Sequence, residues 1–406
     1  MIYKDNKEVI GVFKNDTPIA RIYKGNYLIF GNKPDTPAND VLAFEFTGDS
    51  ATYAMNGVHY TATTSPYSTT LSEIGVGVWK NAYSMFSGQS QITNITAIPD
   101  TSNVTNMQNM FTRCSGLTTL DVSNFNTSSL ENMNGMFSRC PNLTTLDLSN
   151  FDTSNVLYAS YVFSGCTSLS SMTFGNCFKT SKVTDFGYMF CGCNSLTSLD
   201  VSNFDTSNVN NMQYMFTHCW GLTSLDVSNF VTSNVNNMTY MFCGCSGLTS
   251  LDVSNFDTSN VRTMNEMFAG CYGLTSLDLT NFDTSKATNM DFMFASSSGL
   301  TSLDLSNFDT SNVTQIFNMF NYCYGLKQLK WNNFGNGSGY TSILFSFATY
   351  LGVGYEDDLK NTFVVNSYDR ASAGYPNLTI TFSRYTKALF TDAEIAQMTA
   401  KGYTIA

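Results

Sequence analysis

The segment from Leu196 to Phe230 reads LTSLDVSNFDTSNVNNMQYMFTHCWGLTSLDVSNF, and its opening phrase begins again at Leu222. The phrase recurs along much of the chain, and almost every copy carries a Met-Phe pair, 25 to 27 residues from the last. The pairs are Met85-Phe86, Met110-Phe111, Met136-Phe137, Met189-Phe190, Met215-Phe216, Met241-Phe242, Met267-Phe268, Met293-Phe294 and Met319-Phe320, with Val162-Phe163 in one copy. Self-similarity at this period predicts a solenoid, in which each unit buries its apolar edge against its neighbours.

One repeat has two apolar patterns. From Leu222 to Phe230 the spacing Leu-x-x-Leu-x-Val-x-x-Phe is that of a leucine-rich repeat strand, with Asp226 on the open side. The Thr-Ser-Asn that follows favours a turn. Apolar residues then recur at helical spacing between Val235 and Phe242. This spacing is typical of a short amphipathic helix or a helical turn packed on the strand layer, and we therefore expect a strand, a turn, a short helix and a return in each unit.

These features resemble the BspA-like leucine-rich repeat family, whose hallmark is LTSLDLSNFDTSNVTNMxxMFxGCxG. The resemblance covers residues 81–347. It implies an α/β repeat solenoid of BspA-type leucine-rich repeats, about 26 residues each, with a small β-rich N-terminal module and a C-terminal cap. Because the family is known mainly for surface-exposed proteins implicated in adhesion, the resemblance also implies an adhesive surface.

Composition limits the partners that the chain could bind. Apolar residues make up 43% of the 406 residues and charged residues only 13%, with a net charge of −11. This acidity argues against nucleic acid and against anionic membranes. No stretch approaches the roughly 18 apolar residues of a membrane span, and we expect neither membrane insertion nor a signal peptide.

The two ends differ from the repeats. We expect a β-meander attachment module at 1–33, a linker and N-terminal β cap at 34–80, the repeat solenoid at 81–347 and a C-terminal cap at 348–406. Tyr3, Phe13 and Tyr23 recur every ten residues in the meander and are its candidate attachment residues. The segment VLAFEFTG predicts a strand in the cap.

The N-terminal decads resemble short β-rich attachment modules that open phage tail and fibre proteins. The C-terminal LFTDAEIAQMTAKGYTIA has a capping box from Thr391 to Glu394 and Gly402 as helix terminator. It is similar to the closing segment of many phage-borne BspA-like proteins. For both ends, capping of the solenoid is the alternative interpretation.

Cysteine recurs at one position of the repeat. Buried free thiols are the interpretation we favour, and disulfides between stacked neighbours are conceivable. Cys191-x-Cys193 and Cys243-x-Cys245 suggest zinc, but they lie two repeats apart, roughly 10 Å, too far to share one ion. We expect no metal site. The set is Cys114, Cys140, Cys166, Cys193, Cys219, Cys245, Cys271 and Cys323, with Ser297 as the exception.

Two columns of aspartate follow the strand positions. The first, which we call the Asp ladder, lies on the open face, where it either keeps the sheet soluble or attracts divalent cations or a basic partner. It consists of Asp121, Asp147, Asp200, Asp226, Asp252, Asp278 and Asp304. The second is expected to bond turn amides. It consists of Asp152, Asp205, Asp257, Asp283 and Asp309.

Two aromatic columns are candidate ligand surfaces, because aromatic rings offer sugars a flat apolar face and a polar tip. The alternative is ordinary packing on the repeats. The first, the Tyr row, consists of Tyr161, Tyr188, Tyr214 and Tyr240. The second, the aromatic corner, occupies alternate repeats and consists of Trp220, Tyr272 and Tyr324.

Catalysis is not expected. His59 and His218 are the two histidines, and His218 occupies a position that varies freely between repeats. No phosphate loop, nucleophile elbow or zinc-protease motif occurs, and the carboxylates repeat rather than converge. We expect no cofactor.

Three functions remain open. The first is a phage virion protein on the virion surface, bound to other virion proteins through the N-terminal module and to a bacterial surface glycan or protein through the repeats. The second is a BspA-type adhesin on the bacterial cell surface, and the third is an intracellular protein-binding scaffold. In the first case we expect a homo-oligomer, and the fibre resemblance implies a trimer.

Overall fold

The structure is a computed structural model that describes residues 101–332 continuously and several shorter stretches. These stretches are 82–84, 86–88, 90, 334–337, 360–365, 367–382 and 387–406, with the strand backbone at 21–24, 27–31, 42–47, 50–55, 58–63, 70–71, 94–95 and 342–345. The chain forms two compact units. Unit 1 comprises Met1–Val183 and Gly192–Ser195, and unit 2 comprises Thr184–Cys191 and Leu196–Ala406.

Unit 1 begins with antiparallel strands and continues with parallel ones. The strands are β1 Arg21–Lys24, β2 Tyr27–Gly31, β3 Leu42–Thr47, β4 Ser50–Met55, β5 Val58–Thr63, β6 Thr70–Leu71, β7 Asn94–Ile95, β8 Thr145–Leu148 and β9 Ser171–Phe174. The pair β1–β2 and the three-stranded sheet β3–β4–β5 are antiparallel, whereas β6–β7 and β8–β9 are parallel pairs. The strand predicted from VLAFEFTG is confirmed as β3.

The described strands of unit 2 are all parallel. They are β10 Ser302–Asp304, β11 Gln328–Lys330, β12 Ser342–Phe345, β13 Leu378–Phe382 and β14 Tyr403–Ile405, with a π-helical turn at Asn361–Val365 and helix α1 at Asp392–Ala400. β10 pairs with β11, and β12–β13–β14 form a second sheet.

Within unit 2, alternate backbone N–H groups join each repeat to the next. In the segment around Met215-Phe216, every second N–H donates to a carbonyl oxygen 25 residues further along, at 2.7–3.0 Å. These donors are Met212, Tyr214, Phe216 and His218. The N–H groups of Met215, Thr217 and Cys219 instead close turns on carbonyls three residues back. Parallel bridges one repeat apart, from Asp185 to Gln315, mark the same stacking.

The short helix predicted in each repeat is wrong for residues 101–332, where the Met-Phe segments form consecutive turns. Two residues per repeat have positive φ, for example Tyr214 and His218, both at 57°. A right-handed helix requires negative φ throughout, so left-handed residues at these positions break it. Turns that close over three residues place apolar side chains at nearly the same spacing as a helix, which explains the error.

The predicted strand is only partly formed. Within residues 101–332, named strands occur at β8, β9, β10 and β11. In the other repeats the equivalent segment bonds to its neighbour more sparsely, as in the 3.2 Å bond from Thr223 N–H to Thr197 O.

The apolar side chains of each repeat form the core. Met212, Met215, Phe216 and Leu222 expose none of their surface. In unit 2 the Met-Phe phenylalanines stack with ring centroids 5.6–5.9 Å apart, from Phe190 to Phe320. Burial of each such side chain stabilises the fold by about 1.5–3 kcal/mol.

Two polar columns that sequence analysis missed also join the repeats. The buried hydroxyl of Thr206 donates to Val231 O at 2.9 Å and accepts the Val231 N–H at 2.7 Å. The side-chain amide of Asn229 donates to Val201 O at 3.0 Å and to Phe204 O at 2.8 Å. Each side chain therefore satisfies backbone groups one repeat away.

The C-terminal segment matches its prediction closely. Helix α1 has the capping box from Thr391 to Glu394, and Gly402 follows with a φ of 89°. The fully buried Arg370 guanidinium donates to the carbonyl oxygens of Gly335, Gly337 and Pro376. These bonds hold the stretch before β13 against the segment that follows β11.

We predict that Thr206→Val destabilises the protein by about 1 kcal/mol, because valine keeps the shape of the buried side chain but removes both of its hydrogen bonds to the partly buried backbone of Val231. Urea unfolding followed by circular dichroism measures the change. Thr223→Val is the matched control, since that hydroxyl is exposed and its bond to Thr197 O is long, at 3.4 Å. Equal losses in the two variants would contradict the role assigned to the buried threonine.

Candidate functional site

The Asp ladder has a structural role that the sequence did not indicate. In every described repeat that carries it, the carboxylate oxygen accepts the backbone N–H two residues further on, at 2.9–3.0 Å, as from Ser228 to Asp226. This is the same turn that aspartates of the second column make, for example Asp257 with Ser259. The ladder therefore closes the turn after the strand position.

Electrostatics agree with this role. Hydrogen bonds from the hydroxyl and backbone N–H of Ser228 lower the pKa of Asp226 below its ordinary value, although the neighbouring Asp252 opposes the shift. Hydrogen bonding thus outweighs repulsion between stacked carboxylates. The last aspartate of the ladder, Asp304, lies opposite Lys330 in the β10–β11 pair. Lys330 Nζ is 3.9 Å from Asp304 Oδ2, so opposite charges meet there.

The Tyr row is packed face to face within unit 2. The rings of Tyr188 and Tyr214 lie 4.3 Å apart and those of Tyr214 and Tyr240 lie 4.4 Å apart, each pair within 7° of parallel. Both faces of the Tyr214 ring are therefore covered, and this row offers ring edges rather than faces. Tyr161, in unit 1, is 45% exposed.

The stack of tyrosine rings ends beside the carboxylate of Glu266. The Tyr240 hydroxyl donates to Glu266, and the Cys243 thiol lies 3.9 Å from the other Glu266 oxygen. Burial and the Glu266 carboxylate raise the pKa of Tyr240, and burial raises that of Cys243 to about 12. These shifts keep the phenol and the thiol protonated, so the cluster acts as packing with satisfied hydrogen bonds.

The aromatic corner is open to solvent. Trp220, Tyr272 and Tyr324 expose 53%, 56% and 53% of their surface. His218 meets Trp220 edge-on with centroids 5.9 Å apart, and Tyr322 lies 5.8 Å from Tyr324. Sequence analysis missed both neighbours.

The position of His218 and Tyr322 is constrained in its backbone, which corrects the interpretation that it varies freely. His218 has a φ of 57° and Tyr322 of 58°, and the same position holds Gly244 at 72° and Gly270 at 68°. Its frequent glycine was the sequence pattern that indicated a left-handed backbone.

The cysteine column is buried as predicted. In unit 2 the Cys245 thiol donates to Phe216 O at 3.0 Å, and Ser297 makes the equivalent bond to Phe268 O. Burial raises the pKa of Cys323 to about 12. Each cysteine is a small side chain that satisfies one buried carbonyl, and for this reason serine can replace it once.

Across the described residues, no group of three or more His, Cys, Asp or Glu side chains is placed to hold a metal ion. None of the helices described there is long and apolar enough to cross a membrane. Tyr3 and Phe13 lie outside the described residues, and Tyr23 lies in β1.

We predict that acid destabilises the protein partly through the Asp ladder. A folded-state pKa below 3.8 contributes stability above that pH, and this stability is lost as the pH falls through the folded pKa. The triple variant Asp226→Asn, Asp252→Asn, Asp278→Asn keeps an acceptor oxygen at each turn but does not titrate. Its thermal midpoint should lie below that of the original protein at pH 7, because the amide lacks the charge that strengthens each hydrogen bond, and it should fall less below pH 4. Identical acid profiles would argue against the assignment.

We also predict that Cys177 reacts far faster than the other cysteines with a thiol reagent such as DTNB. Cys177 is exposed, whereas the column cysteines are buried and burial raises the pKa of Cys140 and Cys323 to about 12. The native protein should show one fast thiol, absent in Cys177→Ser. The half-buried Cys191 should react more slowly, and the column should react only after denaturation. Several fast thiols in Cys177→Ser would contradict the buried column.

Comparison with known proteins identifies the repeats. The family model described as "Mycoplasma protein of unknown function, DUF285" matches residues 80–175, 175–251 and 247–336, three tandem segments that cover more than half of the chain. None of the curated proteins compared with the chain matches it. The family match supports a BspA-like repeat surface protein and gives no support to similarity with phage tail or fibre proteins. By its repeats, the chain belongs to the DUF285 family.

Proposed function

We propose that this chain is a non-enzymatic surface protein of the BspA type, whose repeats form a leucine-rich solenoid that adheres to a cell-surface glycan or protein. The observation that carries the proposal is the aromatic corner. Trp220, Tyr272 and Tyr324 are each more than half exposed, and they recur at a fixed interval. Exposed aromatic side chains are enriched where proteins bind partners.

Repetition itself supports adhesion. Equivalent residues on successive repeats present the same chemistry many times, and weak contacts linked on one scaffold act together as a tight one. The low charged fraction of 13% and the net charge of −11 favour a neutral or basic partner over an acidic one. The Asp ladder already serves its own turns, so we do not assign it a ligand.

The purified protein, labelled at Cys177 with a fluorescent maleimide, provides the test. We expect saturable binding to intact bacterial cells by flow cytometry, with unlabelled protein competing. The control for non-specific attachment is the same protein, labelled at Cys177 in the folded state and unfolded in urea afterwards. Binding of the folded protein no stronger than that of this control would contradict an adhesive role.

A virion is the second candidate location, and one observation favours it. The decads that carry Tyr3, Phe13 and Tyr23 resemble β-rich attachment modules of phage tail and fibre proteins, which would dock on other virion proteins. In that case the chain assembles as a homo-oligomer, by the fibre resemblance a trimer.

Mass spectrometry of density-purified virus particles, with cell-surface fractions from the same lysate, decides between the two locations. A fixed ratio to the major capsid protein would establish a virion component. Recovery only from cells would place the chain on the bacterial surface and remove the virion candidate.

A further inference from the structure

The spacing of the aromatic corner follows from close contacts between repeats of unit 2. A Cβ added to Gly247 would lie 2.5 Å from Trp220 O, and one added to Gly299 would lie 2.3 Å from Tyr272 O. Only glycine allows this approach, so the backbone of each repeat lies directly against the next at the corner. Stacked parallel segments are about 4.8 Å apart, so residues two repeats apart are separated by about 10 Å.

Alternation keeps the rings of the aromatic corner from stacking on one another. Ser246 separates Trp220 from Tyr272, and Ser298 separates Tyr272 from Tyr324. The Tyr row shows the contrasting case, since tyrosines in consecutive repeats stack at 4.3–4.4 Å and cover one another. At the corner, Trp220 and Tyr272 are instead each followed by a serine in the next repeat, so the three rings are too far apart to stack on one another.

We propose that Trp220, Tyr272 and Tyr324 are stacking subsites for an extended, neutral β-1,4-linked glycan that runs across the repeats. This inference rests on the proposed adhesive function and names its ligand class. In such a glycan alternate sugars turn the same face outward, so the chain repeats every two sugars. That repeat is close to the distance between successive rings of the corner, which lets each ring stack on every second sugar.

The surroundings of the rings favour a glycan over a protein. The rings are separated by serine rather than joined into one apolar patch, which is what protein partners usually cover. Ser246 and Ser298 offer hydroxyls to the sugars between the stacked ones, and His218 and Tyr322 add polar groups beside the end rings. The net charge of −11 disfavours polyanionic glycans.

Titration calorimetry with cellohexaose and chitohexaose, on the full chain, tests the ligand class. We expect binding of at least one of them and much weaker binding of maltohexaose, whose α-linkages curve the chain. Trp220→Ala, Tyr272→Ala and Tyr324→Ala should each lower the affinity about tenfold, the loss for a contact of about 1.4 kcal/mol. Tyr158→Ala is the matched control, because Tyr158 is 53% exposed but lies in unit 1. No binding of either β-linked sugar, or equal losses in the control, would overturn the proposal.

A second variant tests the spacing itself. Ser246→Tyr with Ser298→Tyr adds two aromatic rings, at positions where other repeats carry Trp or Tyr, so the backbone accepts them. The five rings, about 4.8 Å apart, should then stack on one another as the Tyr row does, so none of them lies flat beneath the sugars. We expect the glycan affinity to fall at least tenfold although apolar surface has been added. Unchanged or tighter binding would show a general apolar patch, the behaviour expected of a protein-binding surface, and would contradict the proposed spacing.

The two proposals fail in distinguishable ways. Saturable cell binding that survives Trp220→Ala, Tyr272→Ala and Tyr324→Ala would leave the adhesive function standing and remove the glycan subsites. Binding of the β-linked hexamers without binding to cells would leave the glycan subsites standing and remove the adhesive function.

Discussion

The hydrogen bond from every second backbone N–H of the Met-Phe segment to the next repeat is the constraint on which the rest of the repeat depends. Tyr214 and Phe216 donate to Thr239 O and Met241 O at 2.8 and 2.9 Å. The left-handed residues that this pattern requires cost about 1–2 kcal/mol each. A buried N–H left unpaired costs about 1–3 kcal/mol, and each repeat would leave four of them unpaired. The inter-repeat bonds therefore prevail, and the phenylalanine stack, the thiol bonds and the threonine column fit the spacing they impose.

Much of the repeat could be predicted from the period alone. Buried Leu, Val, Met, Phe and Cys positions were readable because identical residues return at 25 to 27 residues, and the capping box of α1 was readable from Thr391 and Glu394. The error was the short helix. Apolar spacing of three and four residues does not distinguish a helix from consecutive turns, because both bring the same side chains to one face. Glycine at the position of Gly244 and Gly270 carried the missing information, since it marks a left-handed backbone.

The candidate sites were less predictable, because their roles depend on neighbours in the next repeat and on backbone direction. The Asp ladder looked like an unpaired row of charge, but each carboxylate accepts a backbone N–H from its own turn. The Tyr row looked like a set of open faces, but consecutive rings cover one another. Trp220, Tyr272 and Tyr324 remain accessible for the opposite reason, since serines occupy the repeats between them. Whether a column is a surface or a packing element is thus decided by what fills the adjacent repeat.

The polar side chains that join the repeats also bear on how such a chain can change over generations. Asn229 and Asn255 make the same amide bonds to the same carbonyl positions one repeat earlier, and Thr206, Thr258 and Thr284 repeat the same hydroxyl bonds. Loss or gain of one whole unit by recombination would bring equivalent partners together again, so array length is free to vary. The aromatic residues of the corner, however, occur in every second repeat. Loss or gain of an odd number of repeats would break this alternation, whereas loss or gain of an even number would preserve it. If selection maintains the aromatic corner, related chains should therefore differ in length by even numbers of repeats.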